Sequence, residues 1–152
     1  MGVRSSSVLA NFMHYYFSLI FDNVRLISST TGSEMFEQIV GVNSRDAVIA
    51  FSFPRYSATT LKTAQYCHST GATVIAVTDS KRSSLAQCSD HVLVAKSDMV
   101  SLVDSLVAPL SVVNALIVAI AAKKEKELSK TFQELEHVWS EYNIYEKQDD
   151  NA

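Results

Sequence analysis

Apolar residues return along this chain in two rhythms. From Val8 to Phe21 they come at helical spacing, with Leu9, Phe12, Met13, Tyr16, Phe17 and Ile20 on one broad face behind the serines at positions 5 to 7. Asn23–Ile27 reads as a short strand. Thr30–Val42 reads as a helix capped near Ser33, with Met35, Phe36 and Ile39 turned inward. Continuous apolar runs too short for helices predict buried strands over Asp46–Phe53, Thr73–Thr78 and His91–Ala95. Between them lie a helix over Tyr56–Thr70, closed by Gly71 as its C-cap, and a short helix over Ser83–Cys88.

A long apolar stretch then runs from Leu102 to Ala122, and Pro109 places a kink or a boundary inside it. Lys123-Lys124-Glu125-Lys126-Glu127 is a solvated break. The last helix, about Leu128–Tyr142, repeats Leu128, Phe132, Leu135, Trp139 and Tyr142 in steps of four and three. That narrow seam suits one partner helix or the body of the domain. The tail over 146–152 is polar. Strands alternating with helices predict an α/β fold, a parallel sheet covered on both faces and doubly wound by right-handed crossovers. Ligands of such folds bind outside the carboxyl ends of the strands.

Composition narrows the classes. The 152 residues predict one domain, and an apolar share of 47% is enough for a full core. A net charge of −3, with dispersed basic residues, gives no pull toward nucleic acid. Asp104, Pro109, Ser111 and Asn114 break the apolar stretch over 102–122, so it reads as a buried helix and not a membrane span. Cys67 and Cys88 lack metal-like spacing and read as reduced, buried thiols of a cytoplasmic protein.

The chemically informative run is Ser52-Phe53-Pro54-Arg55-Tyr56-Ser57-Ala58-Thr59-Thr60, between a strand and a helix. At such a junction freed backbone N–H groups and the helix dipole favour an anion, and hydroxyls add donors. The run resembles the phosphate loop of the sugar isomerase (SIS) domain, in the S-F-P-R-Y-S form of the ribose-phosphate-isomerase-regulator (RpiR) branch of transcriptional regulators. Enzymes of the family carry S-x-S-G-x-T instead. Three further pieces extend the likeness over roughly 2–142. They are Gly2-Val3-Arg4-Ser5-Ser6-Ser7 as the first loop, Gly71 to Ser80 as the fourth strand and its exit, and Leu85 to Leu93 as the helix entering the fifth strand.

The resemblance implies a three-layer, flavodoxin-like domain over 1–145 with five parallel strands in order 2-1-3-4-5. It implies a phosphorylated sugar as ligand, a homodimer, and no cofactor. Carried over by motif, Ser5 and Ser6 are first-loop hydroxyls, Ser52 and Ser57 hold phosphate in the second loop, and Thr60 supports them from the first helical turn. Two residues depart from the pattern. Arg4 replaces the second glycine of the first loop, which costs about 1 kcal/mol or more if its φ is positive. Pro54 replaces a serine and removes a hydroxyl and an N–H together. Arg55 either compensates by charge or forms a salt bridge.

The family's first strand should precede Gly2, where this chain has only Met1, and the regulators carry a helix-turn-helix domain further upstream. The chain therefore reads as a fragment or a late start, contacting DNA only through that missing domain. Residues 1–27 are expected to be rearranged or poorly anchored, or else Asn23–Ile27 fills the slot beside Asp46–Phe53.

Isomerisation needs a general base. His14 reads as a satisfied, partly buried side chain, His68 as a cation at a helix end, His91 as the start of a strand, and His137, on the terminal helix, as able to reach a site only across a dimer. Asp79, after a strand end, either bonds a sugar hydroxyl or caps the next turn. No nucleophile elbow or metal cluster is present. The expectation is an effector-sensing regulator domain, with an aldose–ketose isomerase and a dimerisation module with a decayed pocket as rivals.

Overall fold

A computed structural model describes residues 1–28, 31–100 and 103–146. The apolar runs form β1 (Ala47–Phe51), β2 (Thr73–Thr78) and β3 (His91–Val94), one parallel sheet in the order β1-β2-β3, with Ala47 opposite Thr73 and Ile75 opposite His91. These are the strands expected as third, fourth and fifth, in the expected order. Helices α1 (Ser5–Ile20), α2 (Gly32–Ile39), α3 (Ala58–Ser69) and α4 (Ser84–Gln87) alternate with them.

Side-chain alternation along each strand divides the core in two. Val48, Ala50, Val74 and Ala76 face Met35 and Ile39 of α2, Ala64 and Cys67 of α3, and Leu85 of α4. Phe51 and Val77 face the other way, against Leu9 and Met13 of α1. Val113 and Ile117 of α5 (Val107–Lys123) complete that second layer. The sheet thus lies between two helical layers, as expected. Burying each large side chain of these clusters contributes about 1.5–3 kcal/mol.

The N-terminal region departs from the sequence reading. Asn23–Ile27 is not a strand, and it does not enter the slot beside β1. Met1 does: its α-amine donates to the Ile49 carbonyl at 2.6 Å, and its carbonyl accepts the Phe51 N–H at 2.9 Å. This is one rung of a parallel ladder opposite Ala50. Segment 23–27 forms no ladder. It is tied instead to α2, where the Gln38 amide accepts the Ser28 N–H at 3.2 Å and donates to the Ser28 carbonyl at 3.0 Å. Nor is α1 loose, because Leu9, Ala10 and Met13 are buried against β1 and α5.

Other boundaries shift for local reasons. Ser57 caps α3, so the helix starts after Tyr56. Gly71, at φ 87°, ends it in the left-handed conformation expected of a C-cap. Thr31, not Ser33, is the N-cap residue of α2, and Phe36 is 37% exposed against Tyr66 instead of buried. The last long helix begins at Val107, so Pro109 lies in its first turn, where a missing N–H is tolerated. Ahead of it, β4 (Met99–Val100) and β5 (Val103–Asp104) pair antiparallel, an element the sequence does not indicate. The break before α6 (Glu125–Glu141) is Lys124 alone, and the two helices meet at 98°. On α6, Leu128 is buried while Phe132 and Tyr142 of the seam are exposed. Among the described residues no single helix is long and apolar enough to cross a membrane. The starts expected at Thr30 and Leu102, and the tail beyond Glu146, lie outside the described residues.

Candidate phosphate site

Two turns meet at the carboxyl end of β1. The first leads into α1. Gly2 is required there, since a Cβ would stand 2.7 Å from the Ser6 carbonyl oxygen. Arg4 follows at φ 54° and ψ −129°, so the conformation suspected for the lost glycine is present and arginine bears its cost. The second turn joins β1 to α3. Arg55 sits in it at φ 69°. The Ser57 N–H donates to Ser52 Oγ at 3.4 Å, and Ser57 Oγ accepts the Thr60 N–H at 3.1 Å.

Ser5, Ser6, Ser52 and Ser57 line one cavity of about 40 Å³, together with Arg4, Arg55 and Asp104. Four of the five expected site residues are therefore brought together. Two helices begin beside the same cavity, α1 at Ser5 and Ser6 and α3 at its cap Ser57, so their positive dipole ends lie near it. Thr60 is not on the wall. It is fully buried one turn into α3, and its hydroxyl has no hydrogen-bond partner among the described residues.

Asp104 is the site residue that sequence reasoning misses, because in sequence it only interrupts an apolar stretch. A lone carboxylate among Val100, Val103 and Leu106 is the available signal. It reaches the site from β5. Ser5 Oγ donates to Oδ2 at 3.0 Å, and Arg55 Nη2 donates to Oδ1 and Oδ2 at 3.1 and 3.2 Å. Of the two readings of Arg55, the structure has the salt bridge. A larger cleft of about 620 Å³ adjoins the cavity between the starts of α1 and α2. It shares Val3 and Arg4 with the small cavity and adds Ser7, Asn11, Thr31 and Thr59.

The remaining candidates stand apart from both walls. Asp79 accepts Tyr56 Oη at 2.8 Å and Thr78 Oγ1 at 3.3 Å. Burial, and then this bond to Asp79, pushes the Tyr56 phenol up. His14 Nδ1 lies 3.4 Å from Ser18 Oγ, His68 Nε2 is 3.4 Å from Asp90, and His137 lies 3.9 Å from Glu141. Cys67 and Cys88 are free thiols, pushed up by burial, the less nucleophilic form. Among the described residues no cluster of His, Cys, Asp or Glu is arranged to hold a metal ion.

The SIS domain family model matches residues 1–119. The chain belongs to the SIS domain family. A solved RpiR transcription factor from Sphaerobacter thermophilus (its sugar isomerase domain) resembles it at 26% identity and a TM-score of 0.82, covering 90% of this chain and 75% of that one. A protein of E. coli CFT073, solved in complex with a sugar phosphate, is 26% identical with a TM-score of 0.63, over 82% of this chain and 68% of that one. The Vibrio vulnificus NanR protein complexed with ManNAc-6P shares the fold at 19% identity and a TM-score of 0.74, over 93% of this chain and 55% of that one. A search of curated protein sequences finds no match.

Proposed function

We propose that this SIS domain, over 1–145, is the phosphosugar-sensing effector domain of an RpiR-type transcriptional regulator, working in the cytoplasm as a homodimer and contacting DNA through a separate helix-turn-helix domain. The observation that carries the reading is the convergence of Ser5, Ser6, Ser52 and Ser57, with two helix N-termini, on one cavity. Hydroxyls and positive dipole ends suit a phosphate. The adjoining cleft of about 620 Å³ has the size and mixed polar lining of a small-molecule site and would take the sugar. Thr60 supports the second turn from behind through the hydrogen bond that its backbone N–H donates to Ser57 Oγ.

Sensing fits the site better than catalysis does. The titratable side chains on the two walls are Arg4, Arg55 and Asp104, and Asp104 is held by Arg55. None of the histidines lines either space. A proton shuttle between adjacent carbons needs a free base near the sugar.

The test is a thermal-shift panel of hexose and pentose phosphates, ManNAc-6P among them, against the unphosphorylated sugars. A true effector at a hundredfold excess over its Kd stabilises by about 2.7 kcal/mol, several degrees for a chain of this size. No shift with any member at millimolar concentration points to a decayed pocket. Turnover in a coupled isomerase assay, lost in Asp104→Asn, points to the enzyme.

A further inference from the structure

We propose that Asp104 is a specificity-determining residue, a tethered anion that an incoming ligand must displace and that thereby admits phosphate while rejecting carboxylates; this rests on the cradle being a phosphate site. The geometry is that of a ligand already in place. The Asp104 carboxylate accepts from Ser5 Oγ at 3.0 Å and sets both oxygens on Arg55 Nη2 at 3.1 and 3.2 Å. A hydroxyl of the first turn and the guanidinium of the second are therefore both engaged by one side chain from β5.

Shared donors make displacement necessary. Asp104 lines the same wall as Ser6, Ser52 and Ser57 and holds the Ser5 hydroxyl and the Arg55 guanidinium, so an anion that uses those two groups must take them from it. Charge makes displacement selective. A carboxylate ligand offers Arg55 and Ser5 the same two oxygens that Asp104 offers, and Asp104 competes at the high effective concentration of a tethered group. A phosphate dianion brings more charge and a third oxygen, left for the hydroxyls of Ser52 and Ser57 on the same wall. Arg55 and Ser5 pass from Asp104 to the phosphate, and β5 is freed from the cradle.

The experiment titrates the 152-residue chain with inorganic phosphate and with acetate, following thermal stability, in wild type, Asp104→Asn, Asp104→Ser and Ser57→Ala. Asparagine keeps the shape of Asp104 and removes its charge. Serine reads the same quantity if the amide disturbs folding. The expected result is a phosphate Kd about tenfold tighter in both Asp104 variants, with acetate binding appearing where wild type shows none. An unchanged phosphate Kd in both variants, with wild-type binding abolished in Ser57→Ala, overturns the proposal and leaves the phosphate site standing. Weaker phosphate binding in both also overturns it, since Asp104 then orients Arg55 for the ligand. Absence of phosphate binding in every protein overturns the proposal and the phosphate site together.

Discussion

Ser57 accepts the Thr60 amide at 3.1 Å, so one hydroxyl both starts α3 and faces the cavity. The two roles separate by substitution. Ser57→Ala loses the cap and about 1 kcal/mol, a fall of roughly 2–4 °C in Tm. Ser57→Asp keeps a good cap at a helix N-terminus and restores that stability, but puts a negative charge where an anion belongs. The expected pair of results is near-wild-type melting for Ser57→Asp and no thermal shift with any sugar phosphate. Retained stabilisation by phosphate in Ser57→Asp would contradict the placement of the anion.

Arg4 and Gly2 predict opposite effects within one turn. Arg4 has φ 54° and ψ −129°, a region that costs a side-chain residue about 1–3 kcal/mol. Arg4→Gly relieves that strain and adds chain entropy to the unfolded state worth about 0.4–1 kcal/mol, so a net gain near 1 kcal/mol is expected. Gly2→Ala drives a methyl to 2.7 Å from the Ser6 carbonyl oxygen, a backbone atom held in the first turn of α1. A loss of about 1–3 kcal/mol follows. Urea unfolding of both variants measures the two signs directly. Equal or inverted midpoints would show that the first turn is not under the strain its angles imply.

The strands are legible because they are buried on both faces, which leaves continuous apolar runs such as Val48 to Phe51 with little else they can be. Ser52 and Ser57 stand out in sequence because a hydroxyl-rich turn between strand and helix has a local signature, whereas Ser5 and Ser6 are picked out only by their likeness to a family loop. What escapes the sequence is decided at a distance. Whether Asn23–Ile27 forms a ladder depends on its neighbour, and the slot beside β1 holds Met1. Asp104 meets Ser5 across 99 positions of sequence, and no local pattern announces that contact. The inward reading of Phe36 fails because the buried stripe on α2 is narrower than its apolar residues, and Tyr66 covers only part of the ring.

Asp90 predicts an acid-sensitive joint between α3 and the sheet. Its Oδ2 accepts the Val74 N–H at 2.7 Å and its Oδ1 lies 3.4 Å from His68 Nε2. The Val74 N–H first, and His68 after it, hold the carboxyl below its usual value of 3.8. A depressed carboxyl stabilises the fold above its unfolded pKa, and that contribution fades as pH falls through the folded one. Stability is therefore expected to drop below about pH 3.8, and Asp90→Asn to flatten part of that slope while lowering stability at about pH 7. Chemical denaturation at about pH 3, 4 and 7 reads both effects. An unchanged acid slope in Asp90→Asn would remove Asp90 from the account.

The α-amine of Met1 predicts a second pH dependence, of the opposite chemical kind and at milder pH. It is buried against β1, donating to the Ile49 carbonyl at 2.6 Å, and burial lowers its pKa from 8.0 to about 5. An amine with a depressed pKa takes up its proton more readily in the unfolded chain, so protonation favours unfolding. No penalty applies above about pH 8, and the penalty grows as pH falls toward about 5, where it is complete. The full difference is about 4 kcal/mol at roughly 1.4 kcal/mol per tenfold change in proton affinity. The urea midpoint of the 152-residue chain should accordingly rise steadily between about pH 5 and pH 8. Acetylating the amine removes the charge but keeps an N–H for Ile49, and the slope should then vanish. A flat midpoint in the free-amine chain would mean that the Met1 amine reaches water, and that the rung opposite Ala50 is open in solution.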